Sequence, residues 1–430
     1  MRLRETQAAA MVRRHMHAPA APSPSVFKHR AFALFWSART FSTLAVQAES
    51  VTIGWQVYTV ARHANDVRHS AFLVGMVGLV QFVPLFLLTF LAGATADRRD
   101  RRGIVLVCSL VEIACVLVLA ALALHPSPSL IPIFVIAALF GASRAFLQPA
   151  VGAMGPMLVP REILPRAIAW NSLGSTGARI LGPWIGGALC AISPTAAYCG
   201  SAVLYICAVA AMLAMRANTR PETQPGSRLE QIREGIVYVW NNKIVLGATS
   251  LDLFAVLLGG ATALLPVFAR DVLQVGAHGF GILRSAPAIG AGIMAFGLSR
   301  WPLHRHAGLW MFCAVGVFGV ATLVFAVSKL LIVSVVALAV LGAADMISVY
   351  VRQSLVQIVT PDPMRGRVSA VSGLFIGASN ELGEFETGMV ARLLGPVGAA
   401  IFGGVGSLIV TAGWSQLFPA LRKADGLDRA

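Results

Sequence analysis

Seven carboxylates and six arginines stand inside stretches that are otherwise apolar: Glu49, Glu112, Asp252, Asp345, Glu381, Glu384 and Glu386, against Arg39, Arg144, Arg179, Arg284, Arg352 and Arg392. Away from water an unpaired charge costs a few kcal/mol, about 2.5–3.5 for arginine in a membrane helix, so each group must pair, face a cavity or hold a proton. The chemistry such groups offer is proton exchange. Glu381 and Glu384, three residues apart, share one helix face, and Glu386 points the other way. Like charges that close do not all ionise cheaply, so one of them is expected to keep its proton. Residues 380–386 are therefore the strongest candidate for proton exchange, and a packing pair with Arg144, Arg179 or Arg352 is the alternative. Arg144, with Gln148 one helical turn on, must face protein or water; a structural ion pair is its other reading. Glu49, beside Gln47, is expected to line a cavity. Asp345, Ser348 and Arg352 fall on one face, which predicts local pairing of Asp345 with Arg352. Asp252 fits either a pair or the cavity, and Trp55 and Phe254 are the aromatic candidates for lining it.

The elements that must position these groups are membrane helices. The chain has 430 residues, 57% hydrophobic and 12% charged, with mean hydropathy +0.75, whereas a soluble protein carries about 25% charged residues. Apolar runs of the ~20 residues that cross a bilayer recur along it. They fall at about 31–60, 71–96, 103–124, 130–158, 167–192 and 195–215, then, past a polar linker, at 244–272, 279–299, 308–327, 330–359, 369–394 and 397–417. The expected division is a disordered basic tail (1–28, with Met11 a second candidate start), a six-helix bundle (29–215), a linker (216–243), a second six-helix bundle (244–419) and a short tail (420–430). Within the linker, Leu229, Ile232, Ile236 and Val239 form one stripe, predicting an amphipathic helix at the membrane surface that tethers the halves.

Lys and Arg alternate strongly between the two sides. One side holds the N-terminal tail, Arg98, Arg99, Arg101, Arg102, Arg161, Arg166, the linker, Arg300, Arg305, Arg365 and Arg367, whereas the other offers Arg62, Arg68, Arg270 and Lys329. The positive-inside rule then places both termini in the cytoplasm and accounts for the net charge of +15 without nucleic acid. The six cysteines lie in or beside apolar runs and read as buried thiols; Cys190 and Cys199 flank one external turn and could pair.

The halves repeat one another. At a constant offset Pro160 falls on Pro361, Arg166 on Arg367, Ala169 on Ala370 and Leu173 on Leu374. In a membrane chain, internal repeats suggest a transporter with its site between them. Two motifs go further. The turn after the second segment carries Gly93, Asp97, Arg98, Arg101 and Arg102. The fifth segment reads Gly182-Pro183-Trp184-Ile185-Gly186-Gly187, a proline kink beside small residues that let another helix approach. With these residues the chain resembles the major facilitator superfamily. The first motif is similar to its gating loop, except that Asp100 replaces a glycine. The second resembles its antiporter signature, with Ala178 at the usual small position. Arg144 resembles its fourth-helix arginine, implicated in proton coupling. Pro160-Arg161-Glu162, Pro165, Asn171-Ser172 and the run from Pro361 to Val368 look like the branch of the enterobactin exporter and related secretion effectors.

The resemblance implies an all-α integral membrane protein of twelve helices in two pseudo-symmetric bundles, and a monomer in a bacterial-type inner membrane. It would export a small amphipathic compound by alternating access in exchange for protons. A proton-symporting importer on the same fold is the nearest rival, and a non-transporting membrane sensor or assembly partner is more distant. The sequence has no nucleotide-binding loop, no zinc-ligand spacing and no Ser/His/Asp set at one depth. No cofactor, metal, nucleic acid or enzymatic reaction is expected; the partners are a small-molecule substrate, protons and the lipid bilayer.

Overall fold

The computed structural model describes residues 26–125, 129–217, 219–220, 228–303 and 305–425. The expected disordered tail lies outside these residues up to position 25, as do the last five residues. Thirteen α-helices of four or more residues follow among the described residues: α1 (Arg30–Ala64), α2 (Val67–Arg98), α3 (Arg101–Leu122), α4 (Leu130–Met154), α5 (Leu164–Ile192), α6 (Pro194–Ala214), α7 (Arg228–Asn241), α8 (Lys243–Leu258), α9 (Gly276–Arg300), α10 (Ala307–Val327), α11 (Leu331–Val359), α12 (Asp362–Leu417) and α13 (Pro419–Arg422). Their starts follow from the sequence. Asp66, Asp100, Ser129, Ser193 and Asn242 each accept a hydrogen bond from a first-turn backbone N–H, which satisfies donors that the helix itself leaves open.

Among the described residues, nine helices are long and apolar enough to cross a membrane. The twelve expected from sequence are not all separate in that count, for two reasons. Helices α1 and α5 span 35 and 29 residues but carry Arg39, Gln47 and Glu49, and Asn171 and Arg179, along their lengths. Segments 369–394 and 397–417 run together in α12 across Gly395, whose φ of 80° and ψ of 165° are non-helical. That positive φ suits glycine, and Pro396 beyond it has no N–H to continue the ladder. Helix α8 also ends early: a 3₁₀ turn (Ala261–Leu264), a short helix around Pro266 and a π turn (Phe268–Val272) carry the chain to α9.

Helix α1 packs on α5 and α6, α2 on α4, and α3 on α4 and α6; in the second half α9 packs on α11, α10 on α11 and α12, and α8 on α12. Two seams join the halves, α2 against α12 and α5 against α9. The linker helix is where the periodicity predicts it, and it packs against the start of α12. A Cβ on its Gly235 would lie 2.9 Å from the Arg367 carbonyl, Val239 is buried with Val368 and Val371, and Arg367 donates to Glu234. Of the predicted stripe, Val239 faces the protein and Ile236 is exposed, as is Trp240 outside the stripe; the side chains of Leu229 and Ile232 lie outside the described residues.

One expectation about charge is corrected here. Arg352 pairs with Asp252 of α8 at 3.5 Å, not with Asp345, and Ser348 also donates to Asp252 at 3.4 Å. Asp345 lies two helical turns from Arg352 on the same helix, whereas α8 brings a carboxylate straight to it. Asp345 instead lines a small recess with Asp252 and Ser348. The Asp252 and Arg352 side chains are 6% and 4% exposed, and breaking a pair so enclosed costs about 3–5 kcal/mol. Asp252→Ala should therefore lower the melting temperature in detergent markedly, and Asp252→Ala combined with Arg352→Met should recover most of the loss. The six cysteines are free, with Cys190 buried and Cys199 exposed, so these two do not form the disulfide that was open to them.

Candidate functional site

Of the groups singled out from sequence, Arg144, Glu381 and Glu384 lie where α2 and α12 cross. Glycines allow that approach: a Cβ on Gly75 would lie 2.8 Å from the Gly388 Cα, and one on Gly78 would lie 2.9 Å from the Glu381 carbonyl. Brought this close, Glu381 reaches the opposite half. Arg144 Nη1 of α4 donates to Glu381 Oε1 at 2.9 Å and to Gln81 Oε1 of α2 at 3.1 Å. One turn along α12, Glu384 pairs with Arg284 of α9 at 3.7 Å, and Arg284 also donates to the Thr262 carbonyl at 3.4 Å. The two crowded carboxylates of the sequence thus have one arginine each, from opposite halves of the chain. Glu386, turned away from them, is within 3.5 Å of the Thr387 hydroxyl.

Exposure separates these pairs from the structural one. Arg144 and Glu381 are 32% and 12% exposed, and Arg284 and Glu384 are 23% and 28% exposed, against the closed Asp252–Arg352 pair. Glu381 and Glu384 are partly exposed, so a proton or a ligand can compete for them; Asp252 is enclosed.

At one end the two halves are tied together. At the end carrying the α1–α2 turn, Tyr58 donates to Asp271 of the π turn, Arg62 donates to the same carboxylate at 3.5 Å, and Arg270 lies 6.0 Å over the Tyr58 ring. Arg392 of α12 sits 5.2 Å over Phe72 of α2, and Arg68 donates to the Leu393 carbonyl at 3.3 Å. Trp55 stacks on Phe280 at 6.1 Å between ring centres. One apolar core, including Val57, Leu119, Phe268 and Leu338, runs through both halves at this end. Toward the end carrying the termini the cores separate, one around Phe32, Phe35 and Met154 and another around Leu251, Met311 and Leu421.

The fifth-segment motif forms the α1–α5–α9 contact. A Cβ on Gly182 would lie 2.5 Å from the Gln47 Cβ, one on Gly186 2.6 Å from the Ala48 carbonyl, and one on Gly187 2.6 Å from the Gly281 Cα. Pro183, inside the helix, lies between glycines that face two different helices, so one short stretch of α5 packs against both halves at once.

In the basic turn, Gly93 is buried and Asp97 half-buried, while Arg98 is exposed. Asp100, the departure from the expected glycine, caps α3 and accepts from Thr219. Arg101 donates to the Ala96 carbonyl at 3.3 Å, and Arg102 donates to the Met212 and Leu213 carbonyls at 3.0 and 2.9 Å, so the turn ties α2 and α3 to the end of α6. Gln148 is exposed and Phe254 leans on Trp414 at 5.2 Å. Glu49 is 4% exposed, which corrects its expected place on a cavity wall: it faces Glu112 of α3 and Tyr205 of α6 inside the first half. Sequence reasoning missed Gln81, Tyr58 and Asp271 altogether. Their partners lie more than 60 residues away, at separations of 63 for Gln81 and 213 for Tyr58 with Asp271.

Comparison with known proteins identifies the family and the fold. The profile of the family described as transmembrane secretion effector, MFS_3, matches residues 20–430. The enterobactin exporter EntS of Shigella boydii serotype 4 (strain Sb227) is 26% identical over 397 residues, covering 89% of this chain and 90% of that protein. EntS of Escherichia coli O139:H28 (strain E24377A / ETEC) is 25% identical over the same shares. Among solved structures, a POT family transporter in complex with 5-aminolevulinic acid superposes with a TM-score of 0.70 at 11% identity, covering 91% of this chain and 96% of that one. A bacterial homologue of the human lysosomal transporter Spinster, inward-facing and unoccupied, gives 0.67 at 14% identity, covering 94% and 97%.

Proposed function

This chain belongs to the transmembrane secretion effector family of the major facilitator superfamily, and from that premise we propose that it exports a small amphipathic, siderophore-like compound in exchange for protons. The observation that carries the reading is the Arg144–Glu381 ion pair, made between the two halves at 2.9 Å and partly exposed. The names of the EntS relatives favour export, and the Gly182–Gly187 contacts with both halves fit a moving seam. In this reading the chain crosses the inner membrane twelve times with both termini in the cytoplasm, and works as a monomer. The tied end faces outward as the seal, and the separated cores flank a cytoplasmic opening.

The cycle follows from the charges. A proton from outside neutralises Glu381 and releases Arg144. The protein then returns to the inward-open state, where donor groups of the substrate compete with the proton for the Glu381 carboxylate and the proton is given up to the cytoplasm. Alternation requires a site that holds proton or substrate but not both, and a carboxylate shared with an arginine across the seam meets that requirement.

Transport into inverted vesicles tests this, with enterobactin as first probe and a panel of other siderophores and drugs beside it. The vesicle lumen corresponds to the cell exterior, so antiport predicts uptake driven by an acid lumen and abolished by dissipating the gradient. A proton-symporting importer would show the reverse sign, and uptake indifferent to the gradient would reject coupling.

The outer seal carries its own prediction. A hydrogen bond to a charged group contributes about 1.5–3 kcal/mol, so Tyr58→Phe or Asp271→Asn should raise the outward-open population roughly tenfold or more. Cys190, buried at that end beside Trp55 and Ala277, is the reporter. In a Cys199→Ser background its reaction with a membrane-impermeant thiol reagent added from outside should accelerate by a similar factor.

A further inference from the structure

Inside the first half, away from the opening, lies a second group of ionisable side chains. Glu49 of α1 and Glu112 of α3 are 4% and 1% exposed, and Tyr205 of α6 is fully buried. Ser143 of α4 donates to Glu112 Oε1 at 3.1 Å. Glu49 lies against the Tyr205 hydroxyl, Glu112 Oε2 has no hydrogen-bond partner among the described residues, and neither carboxyl has an arginine or lysine within ion-pair distance there. The one cation facing them is Arg144, the neighbour of Ser143, which is bonded to Gln81 and Glu381 instead. The remaining titratable groups around them are thiols and a phenol: Cys108 and Cys115 on α3 and Tyr198 on α6.

Two enclosed carboxyls without a cation do not both stay ionised. We propose that Glu49 and Glu112 form an enclosed proton-binding site, which Arg144 discharges when its bond to Glu381 is broken. The steps balance. A proton arriving on Glu381 cancels its charge and frees the Arg144 guanidinium. Arg144 then turns to the Glu49–Glu112 group, whose proton passes to water in the opening beside Arg144, leaving a carboxylate–guanidinium pair. One proton enters on the second half of the chain and one leaves from the first. The site rests on the antiport reading for its purpose, but its proton does not depend on any substrate.

Infrared difference spectroscopy of the purified full chain at neutral pH, without substrate, tests it through the carbonyl stretch of protonated carboxyls. Wild-type protein is expected to show such a band, and Glu49→Gln combined with Glu112→Gln to remove intensity equal to at least one proton-bearing carboxyl. Glu381→Gln, which leaves Arg144 free to turn, should also diminish it. If the double variant does not fold, Glu112→Gln alone serves, because its amide oxygen still accepts from Ser143. A band undiminished in the double variant, or neither weakened nor shifted in frequency by Glu112→Gln alone, overturns the site, and a band unchanged in Glu381→Gln overturns its exchange with Arg144. Failure of the vesicle transport assay alone would bear on the antiport reading and leave this spectrum to be judged on its own.

Discussion

Replacing Arg144 with Gln is expected to abolish accumulation against a gradient, reducing gradient-driven uptake into inverted vesicles by at least tenfold. The substitution removes two hydrogen bonds from one charged nitrogen, to Glu381 at 2.9 Å and to Gln81 at 3.1 Å. Charge-assisted bonds contribute about 1.5–3 kcal/mol each, and a pair this exposed belongs at the lower end of that range. About 1.4 kcal/mol already changes a rate or population tenfold. Glu381→Gln should fail differently. It mimics the protonated carboxyl, leaving Arg144 released, and cannot cycle a proton, so exchange of substrate without a gradient should persist while the response to an acid lumen disappears. Arg144→Lys keeps the charge but not the planar fork and should fall between. If Arg144→Gln and Glu381→Gln gave the same loss of both exchange and driven uptake, the pair would be structural.

The second large effect is expected at the α5–α9 seam. A Leu at position 187 places its Cβ where the Gly281 Cα stands 2.6 Å away and the Ala277 carbonyl 2.8 Å away. Both obstacles are backbone, so the helices must part; overpacking of this kind costs about 1–3 kcal/mol. Because the seam closes the outer end, the strain falls on one state of the cycle more than on the other. Gly187→Leu should reduce transport below about a tenth of wild type at normal membrane insertion, with the shift in population read as faster external modification of Cys190. Gly281→Leu should reproduce it, since a Cβ there meets the Pro183 carbonyl at 2.7 Å and the Gly187 Cα at 2.9 Å. Normal transport with Cys190 still shielded would mean the motif serves packing alone.

What was legible in the sequence depended on distance along the chain. The helix at Arg228–Asn241 was readable because its stripe repeats every three or four residues. The end of one segment before Pro396 was readable because Gly-Pro is a local signal. Charges were legible as a set but not as pairs. Arg144 meets Glu381 across 237 residues, and no local rule selects that partner over Arg179 or Arg352. The same ignorance produced the one wrong pairing: Asp345 and Arg352 share a helix face, but Asp252, on another helix, reaches the arginine. Glu49 was misplaced because periodicity gives a helix its faces but not its neighbours, and here that face turns toward α3 and α6. The outer seal was illegible for a further reason. Arg270 and Asp271 lie in a π turn, and the irregular stretch after Gly260 that aims them at Tyr58 has no period to read.

The central claim is that substrate and proton exclude one another at Glu381. It is tested most directly by adding the transported compound to purified protein in weakly buffered solution and recording proton release with a pH dye. Wild-type protein is expected to release protons on binding, and Glu381→Gln to bind without release. Substrate binding to wild type with no proton appearing in solution, or release undiminished in Glu381→Gln, would contradict it.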